Sequence, residues 1–200
     1  MTCIKQLTRA GIERALITLE RAFASDPAVT WIFPNPQQGS IALRSINRVP
    51  LRYGVHYGHA TESNDGMAVA VWIPPGQPLT LARLIRCGML AVPFAVGLRA
   101  FARFTDANQI MGQLQKQYAP EPHWGLQTVG VDPDFQGRGL GSALVNDGCK
   151  RADAANFPCY VVTSQKRNLA FYERHGFAVV GSTRLGAGGP PGWAMRREPR

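Results

Sequence analysis

The segment DPDFQGRGLGS at residues 132–142 carries three glycines at alternate positions beside Gln136 and Arg138. Glycine inside an element costs roughly 0.5–1 kcal/mol relative to alanine, so the backbone here must turn sharply or approach a ligand closely. The segment lies between a predicted strand and a predicted helix, whose first N–H groups lack intrahelical acceptors. The helix dipole adds positive potential there. These features predict a site for a phosphate group.

Three known phosphate-binding patterns can be compared with this segment. A P-loop requires Lys and then Ser or Thr directly after its last glycine, and no Lys follows here. The dinucleotide-binding pattern G-x-G-x-x-G fails because Ser142 stands at the place of its third glycine, and no repeated βαβ unit surrounds it. The pattern Q-x-x-G-x-G remains, and Gln136, Gly139 and Gly141 match it.

The N-terminal half of the chain is predicted to be mainly helical. Ile12, Leu16 and Leu19 are spaced for one face of a helix that Asp26 and Pro27 end. The elements predicted to follow are a Pro-rich loop at 30–40, a helix from Ile41 to about Tyr57 that Pro50 disturbs, a strand at 67–73 and a mostly helical segment at 79–117.

The C-terminal half is predicted to alternate between strands and helices. Residues 124–132 are rich in strand formers and end at Pro133. Beyond the glycines, a helix runs to about Ala155, with a row of small and apolar residues at every fourth position, Leu140, Leu144, Gly148 and Ala152. The remaining predictions are a strand at 159–164, a short helix that Asn168 caps and Gly176 ends, and two strands around a turn at 186–192.

Composition favours one soluble globular domain, residues 1–200, with 45% hydrophobic and 18% charged residues. The net charge of +9 suggests an anionic partner, such as a phosphorylated small molecule. Scattered arginines argue against a nucleic-acid arm, and the apolar segment 87–98 is too short to span a membrane. Four cysteines without a C-x-x-C pair or a nearby His predict no metal site. No signal peptide opens the chain, so a cytoplasmic location is expected.

Two longer motifs resemble one superfamily. VGVDPDFQGRGLGSALV resembles the acetyl-CoA pyrophosphate loop of the GNAT N-acetyltransferases, and RNLAFYERHGF resembles the segment after that family's next strand. The motifs occur in the family's order and at its spacing. The resemblance implies a mixed α/β (α+β) fold, with a central mixed, mostly antiparallel, splayed sheet flanked by helices. The strands at 124–132 and 159–164 should begin as neighbours and separate beside a bulge, which leaves a gap for pantetheine.

The resemblance also implies site residues for acetyl-CoA as co-substrate, with no metal. The backbone of Val129 and Val131 would contact pantetheine and the acetyl group, and Asn168 would contact the cofactor. Tyr172 stands where the family keeps its general acid, and a phenol pKa near 10 suits a thiolate leaving group. The pyrophosphate would be held by Gln136, Gly137, Arg138, Gly139, Leu140, Gly141 and Ser142.

The general base is left open by the sequence. The strand at 124–132 carries no carboxylate, so the candidates are His123 and Glu121 at its mouth, or a water molecule relayed from them. An α-amino acceptor, with a pKa of about 7.7–8.0, hardly requires a strong base.

The chain as a whole resembles the puromycin N-acetyltransferase branch, through RAFASDP, AVAVWIPPG, EPHWGLQTVGV and GWAMRRE. That branch implies a small-molecule amine acceptor. It has Glu where Val162 stands here, which puts puromycin itself in doubt. The segment 79–117 is predicted to be an acceptor lid. Its residues Phe94, Phe101, Phe104 and Met111 would either line an apolar pocket, with Trp31 and Phe33 opposite, or simply pack between helices.

Two other functions stay open at this point. A protein N-terminal or lysine acetyltransferase would need an open groove, which a long lid opposes. A non-catalytic acyl-CoA binder would keep the glycine loop and could discard Tyr172. The expected partner is a small-molecule amine, without nucleic acid or membrane, and the chain could form a homodimer.

Overall fold

The computed structural model describes residues 3–200, which form one seven-stranded sheet flanked by helices. The strands are β1 (Ile4–Gln6), β2 (His59–Ser63), β3 (Ala68–Ile73), β4 (Trp124–Val131), β5 (Cys159–Thr163), β6 (Ala178–Arg184) and β7 (Pro191–Arg197). The helices are α1 (Ile12–Phe23), α2 (Pro27–Ile32), α3 (Pro36–Tyr57), α4 (Leu81–Arg86), α5 (Val92–Val96), α6 (Leu98–Tyr118), α7 (Leu140–Ala154) and α8 (Arg167–Glu173). The strand order is β1-β2-β3-β4-β5-β7-β6, with every neighbouring pair antiparallel except β4 and β5. The predicted mixed, mostly antiparallel sheet is confirmed.

Strand β3 lies at the centre of two apolar cores because its side chains alternate between the faces of the sheet. Val69, Val71 and Ile73 belong to the core that α1 and α3 cover. Ala68, Ala70 and Trp72 belong to the core beneath α7. All six residues of the strand are buried, as an uninterrupted apolar run between two helical layers requires.

Helix α7 packs closely on the sheet through the predicted row of small and apolar residues. Leu144 and Ala152 are fully buried, and Gly148 faces the indole of Trp72. A Cβ at Gly148 would lie 2.2 Å from Trp72 Cε2, so only glycine allows this approach. The row therefore fixes the position on the sheet of α7, the helix that begins at the glycine loop.

Strands β4 and β5 separate soon after they meet. They pair in parallel only through Trp124 with Cys159 and Gly125 with Tyr160. A register shift in the β3–β4 pairing, between Val71 and Trp72, bends β4 in the same region. Within residues 3–200, the far half of β4 thus has no hydrogen-bonded neighbour on its β5 side, which is the gap that the family resemblance implies.

Several predicted elements differ from the structure. Residues 30–40 are not simply a loop, because Pro27 starts α2 and α3 begins at Pro36, each after an N-cap side chain, Asp26 and Asn35. Pro50 lies inside α3, which continues because its neighbours Val49 and Leu51 are buried in the core.

Strands β1 and β2 are absent from the sequence predictions, since the segment HATES has no apolar alternation. The buried Glu62 of β2 is accommodated by the Arg14 guanidinium, at 2.8 Å. A pairing of this kind joins residues 48 positions apart and leaves no local pattern.

Candidate active site

The glycine loop connects β4 to α7 through a short 3-10 turn at Pro133–Phe135. The Asp132 side chain caps that turn by accepting from the Asp134 N–H at 3.0 Å, and Arg21 pairs with both carboxylates. Gly139 is the N-cap of α7 with φ +79°, a left-handed conformation that glycine adopts without strain. A Cβ there would meet no atom within 4 Å, so backbone conformation rather than crowding favours glycine at this position.

A first cavity of about 480 Å³, the loop cavity, lies between this loop, the open edge of β4 and helix α8. Ten of the eleven residues predicted for the site line it, namely Val129, Val131, Gln136, Gly137, Gly139, Leu140, Gly141, Ser142, Asn168 and Tyr172. Arg138 does not. Its guanidinium lies 4.6 Å from the centre of the Phe135 ring and donates to the Asp134 carbonyl at 3.1 Å.

Tyr172 lies on the inner face of α8 and is 4% exposed. Its ring packs edge-on against Phe171 and Phe177, at centroid distances of 5.2 and 5.7 Å. Burial raises the pKa of Tyr172, so the phenol keeps its proton throughout the neutral range. The residue is therefore a core aromatic and, at the same time, a neutral proton donor at the cavity wall.

Asn168 lies inside α8 and does not cap it, contrary to the sequence prediction, because the helix begins one residue earlier after Lys166. Its Nδ2 donates instead to Thr163 Oγ1 at 3.1 Å, at the end of β5. This bond holds the first turn of α8 against the strand that borders the gap.

A second cavity of about 650 Å³, the apolar cavity, lies on the other side of Tyr172. Helices α3 and α6, the α1–α2 turn and the splayed strands enclose it. The two cavities share four lining residues, Phe23, Val129, Asn168 and Tyr172. A reactant in each cavity would consequently meet the other beside the Tyr172 ring.

The lid segment contributes to the apolar cavity only in part. Phe101, Phe104 and Met111 line it, as predicted. Phe94 does not, because its ring on the short helix α5 is 91% exposed. Trp31 and Phe33 also do not line it; they pack behind its wall, in a cluster with the lining residues Ala107 and Leu185.

Neither candidate base lines either cavity. His123 lies 2.9 Å from Gln115 through Nε2 and 2.7 Å from the Glu121 carbonyl through Nδ1. The Glu121 carboxylate pairs with Arg196. Both residues precede the end of β4 that is still paired with β5, whereas the cavities lie at the separated end.

The sequence interpretation missed one carboxylate that lines the apolar cavity, Asp26. It appeared only as a residue that ends α1. An Asp before Pro is also typical of an N-cap, and that pattern would have placed the side chain at the start of α2. Its contacts with Ser164 and Gln165 arise only from the fold.

His175 joins the glycine loop to the end of α8. Its Nδ1 lies 2.9 Å from Asn146 Oδ1, and its Nε2 lies 3.2 Å from Ser142 Oγ. Burial, followed by the positive charges of Arg174 and Arg197, lowers the pKa of His175. The side chain is accordingly neutral at pH 7 and acts as a hydrogen-bonded support for the loop.

No three His, Cys, Asp or Glu side chains within residues 3–200 are grouped so that they could hold a metal ion. Among the helices of the same residues, none is long and apolar enough to cross a membrane.

Residues 93–177, which contain both the glycine loop and Tyr172, match the model of the acetyltransferase (GNAT) family. The crystal structure of histone acetyltransferase HPA2 and related acetyltransferase from Corynebacterium glutamicum is similar over 100% of this chain and 98% of its own, with a TM-score of 0.73 and 25% identity. The family model thus covers 85 of the 200 residues, whereas the structural similarity extends over the whole chain.

Two curated relatives are similar over shorter stretches. A mycothiol acetyltransferase from Propionibacterium freudenreichii is 38% identical over 68 residues, 32% of this chain and 22% of the relative. A glucosamine 6-phosphate N-acetyltransferase from Trypanosoma brucei is 36% identical over 52 residues, 26% of this chain and 35% of the relative. The chain thus spans only about a fifth to a third of these relatives' lengths. The resemblance to the puromycin branch rests on the sequence motifs alone.

Proposed function

We propose that this chain, as a single domain of residues 1–200, transfers an acetyl group from acetyl-CoA to the amine of a small-molecule acceptor. The observation that carries the proposal is the meeting of two cavities at Tyr172, one bordered by the glycine loop and the other mostly apolar. The loop cavity suits the co-substrate and the apolar cavity suits the acceptor.

The residues of the loop cavity fit acetyl-CoA, which supplies an activated thioester acyl group. Gly137 and Gly139, both with positive φ, expose backbone N–H groups at the start of a 15-residue helix, where a diphosphate is stabilised. The unpaired half of β4 offers backbone groups to an extended pantetheine chain, in the manner of an added strand.

The residues around the junction have distinct roles in this proposal. A backbone N–H near Val129 stabilises the oxyanion that forms when the amine attacks. The buried phenol of Tyr172 donates its proton to the departing thiolate. The apolar walls exclude water and orient the amine.

The assignment of the loop cavity can be tested with a pair of variants matched in shape but not in charge, Gly139→Asp and Gly139→Asn. Both residues tolerate the left-handed conformation and have nearly the same shape, but only Asp places a carboxylate beside the expected diphosphate. We expect calorimetry to show acetyl-CoA binding that is at least about tenfold weaker for Asp than for Asn, because like charges at close range are strongly unfavourable. Equal affinities of the two variants would show that the loop does not hold the diphosphate.

The transfer itself can be tested by measuring free CoA thiol with purified protein, acetyl-CoA and an amine panel. Small primary amines should give thiol release well above the rate of acetyl-CoA hydrolysis. Release with N-terminal or lysine peptides alone would favour the protein acetyltransferase alternative. Tight acetyl-CoA binding without release on any amine would favour a non-catalytic binder.

A further inference from the structure

The apolar cavity has an unusual charge balance. Asp26 is the one charged side chain among its lining residues, and within the described chain that lining contains no Lys, Arg, His or Glu. Two cations lie beside the cavity without being part of its lining: Arg83 donates to Tyr53 Oη at 3.3 Å and to Gln77 Oε1 at 2.8 Å, and Arg167 donates to Gln165 Oε1. The walls are otherwise apolar, with Ile32, Leu43, Ile46, Phe101, Phe104 and Met111 among them.

The Asp26 carboxylate is held rigidly but has no cationic partner. It is 8% exposed and, among residues 3–200, forms no ion pair within 4 Å. Its oxygens accept from the N–H groups of Ala28 and Val29, from Ser164 Oγ and from Gln165 Nε2. Buried carboxylates are rarely left without a positive charge nearby, so this one has the chemistry of a receptor for a cation.

The position of Asp26 relative to the reaction centre follows from the same contacts. Gln165 Nε2 lies 2.8 Å from Asp26 Oδ2, and the Gln165 carbonyl accepts the Asn168 N–H at 3.0 Å. Asn168 and Tyr172 line both cavities, one turn apart on α8. The carboxylate is thus linked through Gln165 to Asn168, which lies one turn before the proposed acid on α8 and lines the apolar cavity.

Building on the proposed function, we infer that the acceptor is a monocationic amine on an apolar alkyl or aromatic body without any anionic group, and that Asp26 binds its ammonium form. The ammonium releases one proton to solvent before the neutral amine attacks the thioester. An apolar body of drug-like size fits a cavity of about 650 Å³. A phosphate or carboxylate on the acceptor would lose its water without gaining a cation, and it would face the Asp26 charge. An ammonium group gains a charge-assisted hydrogen bond instead.

Two matched compounds test the acceptor class in the wild-type protein. Phenylalaninol and phenylalanine have the same amine and the same ring. Beside the amine, phenylalaninol carries a CH2OH group and phenylalanine carries a carboxylate. We expect kcat/KM from thiol release to be at least about a hundredfold higher for phenylalaninol, since a buried unpaired carboxylate is strongly unfavourable. Hexylamine should be acetylated and glucosamine 6-phosphate should not. Comparable turnover of phenylalanine or glucosamine 6-phosphate would overturn the inference.

The role of Asp26 is tested with Asp26→Asn, which keeps an N-cap acceptor for Ala28 and Val29 and removes the charge. We expect KM for phenylalaninol to rise about 10- to 100-fold, the worth of a hydrogen bond to a charged group. The affinity for acetyl-CoA and kcat should hold. The preference for phenylalaninol over phenylalanine should also shrink, because the repulsion of the substrate carboxylate is removed too.

A merely structural role for Asp26 predicts a different result. Asp26→Asn would then lower the melting temperature without altering the ratio between the two compounds. Glu13→Gln serves as control, because it also replaces a carboxylate by an amide but lies on the exposed surface outside both cavities; its KM for phenylalaninol should stay within about twofold of wild type. An unchanged ratio in Asp26→Asn would refute the ammonium site.

The results also distinguish this inference from the proposed function. Acetylation of amines with no preference against acids would refute only the inference. Acetyl-CoA binding without acetylation of any amine would refute the proposed function, and the inference would fall with it.

Discussion

The loop cavity takes ten of its 18 lining residues from the single stretch 129–142, whereas the apolar cavity is lined by residues scattered from Phe23 to Leu185. The first is largely a backbone surface, made by glycines, a helix start and an unpaired strand edge. The second is a side-chain surface to which six helices and three strands contribute. A contiguous backbone site is visible as a motif, and a dispersed side-chain site is not.

The two cavities also differ in charge. The loop cavity is bordered by Arg167 and Arg174, and it receives the helix dipole of α7. The apolar cavity contains the Asp26 carboxylate and no cationic lining residue within the described part of the chain. Anion recognition on one side of Tyr172 and cation recognition on the other would bring two oppositely charged reactants together.

The largest effect is expected where the cavities meet. Tyr172→Phe keeps the buried ring and removes the proton, so turnover should fall about 10²- to 10⁴-fold, the usual contribution of a positioned acid. The affinity for acetyl-CoA should be unchanged, as measured by calorimetry beside steady-state kinetics. Since burial raises the pKa of Tyr172, the wild-type rate should show no loss from phenol ionisation up to pH 10.

Tyr160→Phe is the matched control for this variant. The Tyr160 hydroxyl is buried, has no hydrogen-bond partner among residues 3–200 and lines neither cavity. Its removal should leave turnover within about twofold, because no interaction is lost. Equal activities of Tyr172→Phe and wild type would mean that water protonates the thiolate and that the junction has no acid.

Much of the loop side could be predicted from the sequence. The order strand, glycines, helix is local, and the residues that separate β4 from β5 lie in two strong strand patterns. The row at Leu144, Gly148 and Ala152 predicts which face of α7 packs on the sheet. Each of these features depends on neighbours within about four residues, which periodicity can detect.

The acceptor side could be predicted only in outline. The helical nature of 79–117 is confirmed, but the predicted direction of Phe94 is wrong because its orientation depends on how α5 packs against α3 and α6. Asp26 is bonded to residues 138 and 139 positions away, and Glu62 to one 48 positions away. Polar groups that are buried through such distant partners produce no periodic pattern in the sequence.

A smaller effect is expected on the wall of the apolar cavity. Phe104→Leu shortens a lining aromatic whose ring centre lies 6.4 Å from that of Phe101. KM for an aromatic amine should rise about 5- to 20-fold, within the range for changes of a hydrophobic pocket, while the affinity for acetyl-CoA stays constant. The comparison requires kcat and KM for phenylalaninol and hexylamine.

The same substitution at Phe94 separates the wall from the exposed surface. Phe94→Leu changes a ring that is 91% exposed and outside the cavity, so neither KM should move. If Phe94→Leu raised KM as much as Phe104→Leu, the acceptor would bind on the outer face of the lid rather than in the cavity.

The smallest effect concerns the pH response of the loop. The pKa of His175 is lowered in the folded chain, so the unfolded chain takes up a proton first as the pH falls below about 6.5. The contribution of His175 to the free energy of unfolding is therefore fully present above pH 6.5, and it is lost as the pH falls through the folded-state pKa. The side chain at this position in His175→Gln cannot titrate. Between pH 7.5 and pH 5.0, the free energy of unfolding measured with urea should therefore decrease less in this variant than in wild type. Wild type and His175→Gln should differ by less than about 1 kcal/mol in this decrease of unfolding free energy, because the His175 side chain is only partly shielded from water.

Acetyl-CoA should reduce the difference between wild type and His175→Gln in the loss of unfolding free energy at acid pH. This result would tie the effect to the loop cavity rather than to general acid sensitivity. A bound diphosphate near Ser142 favours the protonated form of His175, whose Nε2 lies 3.2 Å from Ser142 Oγ, and so offsets the lowered pKa. His123→Gln is the control, since His123 bonds to Gln115 away from both cavities. Adding phenylalaninol should leave the difference unchanged, because the His175 ring bonds to Ser142, which lines only the loop cavity, and to Asn146, which lines neither cavity. If phenylalaninol reduced this difference and acetyl-CoA did not, the acceptor would bind in the loop cavity and acetyl-CoA in the apolar cavity.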